Sequence, residues 1–351
     1  MANNIVRFCT AALAGSLIGI SYERWSSTRD NKWIEDILDS SGLNQKSTWP
    51  HFGFGSVSAS SSSPPTTRPP DYLSGKEVLE IDPVLSADNL KKSSRFGLPS
   101  KDNIRLFNDF IISYDRRLRA PIWVLEHLTP AKLSYNEEVT RKKSTFREDS
   151  TLHEYFRAKL ADFANSGFDR GHMAPAGNHK TNQLIMDQTF LLSNISPQQP
   201  TFNRGGWERL ETYIRWRAKR SKNLYCITGP LYLPMAARDG RTYVTYQVIG
   251  QNQVSVPTHY YKVVLIENHD GKLEMEAFLL PHDNSLDDSI RLDDYRIPID
   301  RLDIIERASG NIFFDQLQRD KVFTPNSIPG DFKQGPREAI SSEKHPKRIT
   351  A

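Results

Sequence analysis

Two rhythms of apolar positions alternate along the middle of the chain. Phe110-Ile111-Ile112-Ser113-Tyr114 and Ile122-Trp123-Val124-Leu125-Glu126-His127 are short runs of β-branched and aromatic residues, which predict strands. Residues 115–121 between them carry charges and a proline, so the two runs form a hairpin. Over residues 151–164 the apolar positions Leu152, Tyr155, Phe156, Leu160 and Phe163 follow a helical period. Trp207, Leu210 and Ile214 repeat it over residues 203–220. Leu224-Tyr225-Cys226-Ile227-Thr228 predicts a strand closed by Gly229-Pro230, and residues 242–250, 259–267 and 275–280 predict three more. The strands do not alternate regularly with helices. This excludes a doubly wound parallel sheet and predicts an α+β fold.

Outside residues 91–325, the predicted folded domain, the pattern fades. Residues 55–70 are a Ser/Pro/Thr run with too little apolar surface to order itself, within a predicted linker over residues 29–90. Residues 326–351 are rich in Gly, Pro and charge and predict a loose tail. Residues 1–28 predict a targeting segment: Arg7 is followed by an apolar or small stretch over residues 8–20, and no acidic residue precedes Glu23. That stretch is shorter than the roughly 20 residues of a membrane span, so no stable span is expected in a mature form. By itself it fits a mitochondrial presequence with an apolar sorting segment, a secretory signal peptide or a membrane anchor. The sequon Asn194-Ile195-Ser196 weighs against the secretory route, because a glycan there would block the site proposed below.

The chain has 351 residues, 38% hydrophobic and 25% charged, which suits a soluble globular protein of one large or two small domains. A net charge of +4 is compatible with a polyanionic partner without specifying one. The clustering says more. Residues 204–222 hold seven Lys/Arg against two Glu, and Arg141, Lys142, Lys143 and Arg147 form a second group. Such runs serve either as solvated faces or as phosphate contacts. Cys9 lies in the leader, so a processed chain would keep Cys226 alone and could form no internal disulfide.

The chemistry concentrates in Gly167-Phe168-Asp169-Arg170-Gly171-His172-Met173-Ala174-Pro175, followed by Leu192-Ser193-Asn194-Ile195-Ser196-Pro197-Gln198 and Asn203-Arg204-Gly205-Gly206-Trp207-Glu208-Arg209-Leu210-Glu211. An imidazole can take a proton from water near neutral pH. An amide oxygen is a hard, neutral donor suited to a weakly held, largely hydrated Mg²⁺. Each residue also has a plain structural role open to it: His172 at a strand end, Asn203 as a helix N-cap, Asn194 in an Asx turn before Pro197. Trp207, Tyr213 and Trp216 fit core positions better than base-stacking platforms. His153-Glu154-Tyr155-Phe156-Arg157 has arginine where a zinc-protease helix needs its second histidine. No phosphate-binding P-loop or Cys-x-x-Cys pair is present.

The D-R-G-H motif with Asn194, Asn203 and Glu211 at these spacings resembles the DNA/RNA non-specific endonucleases of the ββα-metal type, most closely their mitochondrial members. The resemblance runs from about residue 95 to about residue 323. It implies a central antiparallel sheet flanked by helices, and hydrolysis of DNA and RNA to 5′-phosphate and 3′-hydroxyl ends. His172 is then the general base, Arg170 a phosphate contact and Asn194 an orienting residue. Asn203 is the direct ligand of one Mg²⁺, for which Mn²⁺ can substitute, and Glu211 acts through a water. Eight helical residues span about 12 Å, which agrees with an indirect role for Glu211. The resemblance further implies phosphate contacts to DNA and RNA, a homodimer, the mitochondrial intermembrane space, and a role in mitochondrial DNA turnover or apoptotic DNA degradation. It does not fix which upstream basic residue meets the phosphate. A related mitochondrial 5′-exo/endonuclease and a catalytically silent nucleic-acid-binding protein are the alternatives.

Overall fold

The computed structural model describes residues 81–325 together with 328 and 332, so the predicted leader and most of the predicted linker lie outside the described residues. It opens on helix α1 (Pro83–Ser93), whose N-terminus is capped by the Asp82 carboxylate accepting from Val84 N at 2.8 Å. The fold therefore starts ahead of the expected residue 91. Leu90 packs on the core, and buried Asn89 donates to the Phe107 carbonyl at 3.2 Å.

The strands are β1 (Ile104–Leu106), β2 (Phe110–Asp115), β3 (Ala120–Leu128), β4 (Asp169–His172), β5 (Ile195–Gln198), β6 (Asn223–Leu231), β7 (Met235–Ala236), β8 (Thr242–Tyr243), β9 (Val248–Ile249), β10 (Val254–Ser255), β11 (His259–Glu267), β12 (Leu273–Pro281) and β13 (Arg296–Ile297). Seven of them form one sheet in the order β1-β2-β3-β6-β11-β12-β13, with every neighbouring pair antiparallel. Helices α2 (Leu160–Phe163) and α3 (Gln183–Gln188) are short. A longer helical rod joins α4 (Pro200–Phe202), a π turn (Asn203–Trp207) and α5 (Glu208–Ala218). Helix α6 (Asp303–Ser309) follows the sheet.

Alternation along the strands gives the sheet two apolar faces. Phe110, Ile112, Tyr114 and Val124 point to one face, where Leu210, Tyr213, Ile214 and Ala218 of α5 cover them. Ile111, Trp123, Leu125 and Ile227 point to the other, where Ile304 and Ile305 of α6 and Phe313 cover them. This is the expected α+β arrangement, a central antiparallel sheet flanked by helices.

Three local expectations fail for visible reasons. Residues 151–164 do not form one helix. The Phe156 carbonyl accepts from the Tyr114 hydroxyl at 3.0 Å and the Tyr155 carbonyl from Arg119 Nη2 at 3.2 Å, which removes both from a helical ladder. Only a 3-10 turn (Glu154–Phe156) and the single turn of α2 remain, the latter with Asp162 Oδ2 accepting from Lys159 N at 2.8 Å. Strand β6 runs through Gly229-Pro230 instead of stopping there. Its pairing with β3 ends at Thr228, so Pro230 lies where only β11 adjoins the strand and its missing N–H costs no bond to β3. Residues 242–250 give two fragments because they bury almost nothing, with Val244 52% and Val248 46% exposed. In the predicted loose tail, Ile328 is fully buried, and Phe332 packs edge-on to Tyr213 at 5.2 Å and Trp216 at 5.6 Å. Among the described residues no helix is long and apolar enough to cross a membrane.

Candidate active site

Strands β4 and β5 pair antiparallel apart from the main sheet, and the rod that begins at Pro200 follows directly, giving a strand–strand–helix unit. The D-R-G-H motif is strand β4 itself. Gly171 lacks a side chain because the buried Gln198 of β5 occupies the space: a Cβ there would stand 2.1 Å from its carboxamide carbon. Asn194 is fully buried and fixes the exit of β4. Its Oδ1 accepts from Ala174 N at 2.9 Å, and its Nδ2 donates to the carbonyls of Ala174 at 3.0 Å and Thr189 at 2.9 Å. This goes beyond an Asx turn, for the amide stitches together two segments twenty residues apart. Its burial also leaves no room for a glycan in the folded chain.

His172 and Arg170 alternate with Asp169 and Gly171 and so share a face of β4. Phe146 walls both: the Arg170 guanidinium lies 4.4 Å from its ring centre and the His172 ring 5.2 Å. Phe190 closes the other side of His172 edge-on at 4.7 Å. Buried His172 Nε2 has no hydrogen-bond partner among the described residues. Burial, then the charges of Arg141 and His179, push the His172 pKa down to about 3. The imidazole is therefore neutral and able to accept a proton at any physiological pH, although as a weaker base than the near-neutral value expected from its type. An anionic phosphodiester beside the ring would raise it again. Arg170 is exposed and forms no ion pair among the described residues. Of the upstream basic cluster, Arg141 lies against Phe190, its guanidinium 5.7 Å from the ring centre.

Asn203 is not an N-cap. Its N–H donates to the Gln199 carbonyl at 2.8 Å, one turn inside the rod. Asp169, on the opposite face of β4 from His172, accepts from Asn203 Nδ2 at 2.9 Å and from Arg204 Nε and Nη2 at 2.9 and 2.7 Å. That clamp turns the Asn203 amide so that Oδ1 accepts nothing among the described residues. It also places Arg204 on a carboxylate, so its charge is partly neutralised rather than left for a phosphate. Arg209 likewise is engaged, donating to the Phe332 carbonyl at 3.0 Å.

The π turn changes the relation of Asn203 to Glu211. Eight residues of plain α-helix would leave the two about 80° out of line, at about 100° per residue. A single π turn absorbs one extra residue, which brings them within about 20° and shortens the rise to about 10.5 Å. Glycines permit the turn. A Cβ on Gly205 would meet the Asp287 backbone at 2.7 Å, and Gly206 N donates to the Leu286 carbonyl at 3.1 Å. Burial raises the Glu211 pKa to about 7, with Lys262 and Arg215 opposing it. Arg215 lies 3.7 Å from that carboxylate. Among the described residues no three His, Cys, Asp or Glu side chains cluster as a metal cage. A free amide oxygen with a carboxylate in line behind it is a donor set that fits a hydrated hard cation, one that keeps most of its waters.

A buried network supports this wall and was not legible as chemistry in the sequence. His179 is fully buried, with Nδ1 2.8 Å from Asp109 Oδ2 and Nε2 3.1 Å from Glu126 Oε1. Asn178 donates to Glu126 Oε1 at 2.8 Å and accepts from Arg215 Nη1 at 3.3 Å, which connects the sheet to the helix that carries Glu211. Lys132 pairs with Asp109. Burial opposes charge on His179, but the bonds to Asp109 and Glu126 outweigh it and raise its pKa to about 9. The sign follows: this contribution to stability is complete below about pH 6.5 and is lost as pH rises through about 9. Replacing His179 with alanine leaves two facing carboxylates and is expected to cost about 3–5 kcal/mol. Denaturant unfolding on both sides of that pH range checks it; an alanine variant as stable as the parent at neutral pH would contradict the network's role.

The structure thus holds His172, Arg170 and Asn194 on and beside one short strand, and ties Asn203 to that strand through Asp169. Glu211 is carried by the following helix. No hydrogen bond joins His172 to Asn203 or Glu211 among the described residues. Phe146, Phe190, Asp169 and Asn178 are the residues that sequence reasoning did not assign to the site. The place of Asp169 in D-R-G-H and of Phe146 within the Arg141–Arg147 cluster hinted at two of them.

A strand–strand–helix unit bearing D-R-G-H and this asparagine is the mark of one nuclease class. The family model for DNA/RNA non-specific endonucleases matches residues 89–320, and the chain belongs to that family, whose members are hydrolases. It is 42% identical to mitochondrial endonuclease G of Caenorhabditis elegans over 268 residues, which cover 74% of this chain and 86% of that protein. It is also 42% identical to mitochondrial endonuclease G of Homo sapiens over 224 residues, 64% of this chain and 73% of that one. Its fold is similar to a chain of the EndoG/EndoGI complex crystal structure, a study of EndoG inhibition. The TM-score is 0.65 at 42% identity, covering 67% of this chain and 95% of the other.

Proposed function

We propose that this nuclease is a Mg²⁺-dependent, sugar-non-specific endonuclease of mitochondria. The observation that carries the reading is the unpartnered, buried Nε2 of His172 on β4, beside a helix whose π turn aligns Asn203 with Glu211. His172 Nε2 takes the proton from the attacking water. Arg170 holds a non-bridging phosphate oxygen from the same strand face, and Arg141 adds positive charge across Phe190. Asn194 keeps the chain after His172 fixed, so the imidazole does not shift as it gains its proton. Asn203 would ligate Mg²⁺ or Mn²⁺ through Oδ1, with Glu211 acting through a water. When bound, the cation supplies neutralising charge for the phosphoryl group and the departing 3′ oxygen. Products carry 5′-phosphate and 3′-hydroxyl ends.

The likeness to mitochondrial endonuclease G supports the mitochondrion. The intermembrane space as station, a homodimer, and a role in mitochondrial DNA turnover or apoptotic DNA degradation complete the proposal. The cations near the site suit the phosphate backbone, which DNA and RNA share, so recognition is expected to be nearly sequence-blind. If Arg170, Arg141, Lys142 and Lys143 together neutralise about four phosphates of duplex DNA, log K falls with log salt at a slope near about −3.6. Binding titrations with a His172→Ala protein across a salt series, with RNA as competitor, test this together with end-group analysis of parent digests. A flat salt response, affinity for one DNA sequence only, or 3′-phosphate products would contradict the reading.

A further inference from the structure

We infer that the tip of the β2–β3 hairpin and the turn at residues 153–157 form an outlying cradle for a single-stranded stretch of the polynucleotide, away from the scissile phosphate. This rests on the endonuclease reading above. Tyr155 is 68% and Phe156 37% exposed. The His153 ring lies 4.7 Å from that of Tyr155 and 5.6 Å from that of Phe156, so three rings share one surface turn. Single exposed aromatics are ordinary on protein surfaces, but a contiguous group bordered by cations is not.

The border is the hairpin tip. Arg116 reaches over Phe156, 5.8 Å from the ring centre. Arg119 Nη2 holds the Tyr155 carbonyl at 3.2 Å and so fixes the turn to the tip. Arg117 donates to the Tyr246 hydroxyl at 3.4 Å. None of these three guanidinium groups forms an ion pair among the described residues. The nearby acids do not fully cancel them: Asp115, whose Oδ1 accepts from the backbone N–H groups of Arg117 and Leu118 at 2.7 and 2.9 Å, and Glu154 are two negative charges against three positive ones. Arg119 is spent on the carbonyls of Tyr155 and Arg117, which leaves the exposed Arg116 and Arg117 to meet phosphates. Exposed rings that can stack on bases, beside such arginines, are the recurrent chemistry of single-strand binding.

The chain links the patch to the site. From Phe156 it reaches Leu160 within at most about 14 Å. Leu160 is 38% exposed and, with Phe163, Ala164, Phe168, Asp169 and Arg170, lines a cavity of about 270 Å³. The inferred path of a strand whose phosphate lies at Arg170 runs past this cavity toward Tyr155.

Tyr155 tests the inference because its side chain is largely in solvent, while its carbonyl, which the alanine variant keeps, makes the structural bond. In Tyr155→Ala, KM for a long single-stranded oligonucleotide is expected to rise by about fivefold or more relative to KM for one of only a few nucleotides, and Tyr155→Trp should restore it. Arg116→Ala should act in the same direction. An unchanged ratio of the two KM values, or a larger effect on duplex than on single-stranded substrate, would overturn the cradle. Fluorescence anisotropy with the same oligonucleotides, without divalent metal, separates the two readings. A parent protein that binds the long oligonucleotide through Tyr155 yet cuts nothing keeps the cradle and sinks the endonuclease reading. Equal binding by parent and Tyr155→Ala sinks the cradle.

Discussion

Replacing His172 with alanine lowers kcat for phosphodiester cleavage by roughly 10²–10⁴-fold or more, while polynucleotide binding is largely kept. The reason is local. His172 Nε2 is buried without a partner between Phe146 and Phe190, so no neighbouring group is placed to take over the proton, and the ring contributes no charge to phosphate binding while neutral. On the proposed reading, binding rests instead on Arg170 and the upstream cations. The same burial sets the pH dependence. Because the His172 pKa is pushed down to about 3, the free enzyme should show no loss of activity from His172 protonation as pH falls through 6.5, its ordinary value. Steady-state rates with plasmid substrate measure the first effect, and the pH profile of kcat/KM the second. An alanine variant that cleaves at near parental rate would remove His172 from the chemistry.

Replacing Asn203 with alanine raises the Mg²⁺ concentration needed for half-maximal rate, by a larger factor than it weakens DNA binding. One neutral ligand has few substitutes, and Asp169 is clamped to Arg204. Mn²⁺ is expected to rescue the variant in part through the remaining donors. Glu211 gives this prediction a pH signature. Its carboxyl, raised to about 7 by burial, must lose its proton to serve beside a cation. At limiting Mg²⁺ the rate should therefore fall as pH drops below about 7, and added Mg²⁺ should move that limb to lower pH because cation and proton compete. Glu211→Gln should abolish the Mg²⁺-dependent movement. An Asn203→Ala protein with an unchanged metal titration would leave that residue only its bond to Asp169.

The main sheet was legible because its strands bury alternate residues on two covered faces, so Phe110–Asp115, His259–Glu267 and Leu273–Pro281 declare themselves in residue type and spacing. Residues 151–164 misled because an apolar period also arises where aromatic side chains stay at the surface and side chains from β2 and the hairpin tip take the backbone carbonyls. In the site, D-R-G-H, Asn194, Asn203 and Glu211 were legible as a motif. Their arrangement was not, because it depends on long-range contacts. The π turn needs the close approach of Asp287 to Gly205, the Asn203 amide is turned by Asp169, and His179 gains its charge from Asp109 and Glu126. Arg204 and Arg209 show the converse limit: in a basic run open to reading as a solvated face or as phosphate contacts, these two resolve into an ion pair with Asp169 and an anchor for Phe332.

The central claim is that this site hydrolyses nucleic acid with a bound cation and His172 as base. Nicking of supercoiled plasmid measures it most directly, with parent and His172→Ala proteins each assayed in Mg²⁺ and in excess EDTA. The account predicts nicked and linear products from the parent in Mg²⁺ alone, and almost none in the other three reactions. Cleavage by the parent that persists in EDTA, or by His172→Ala at the parental rate in Mg²⁺, would contradict it.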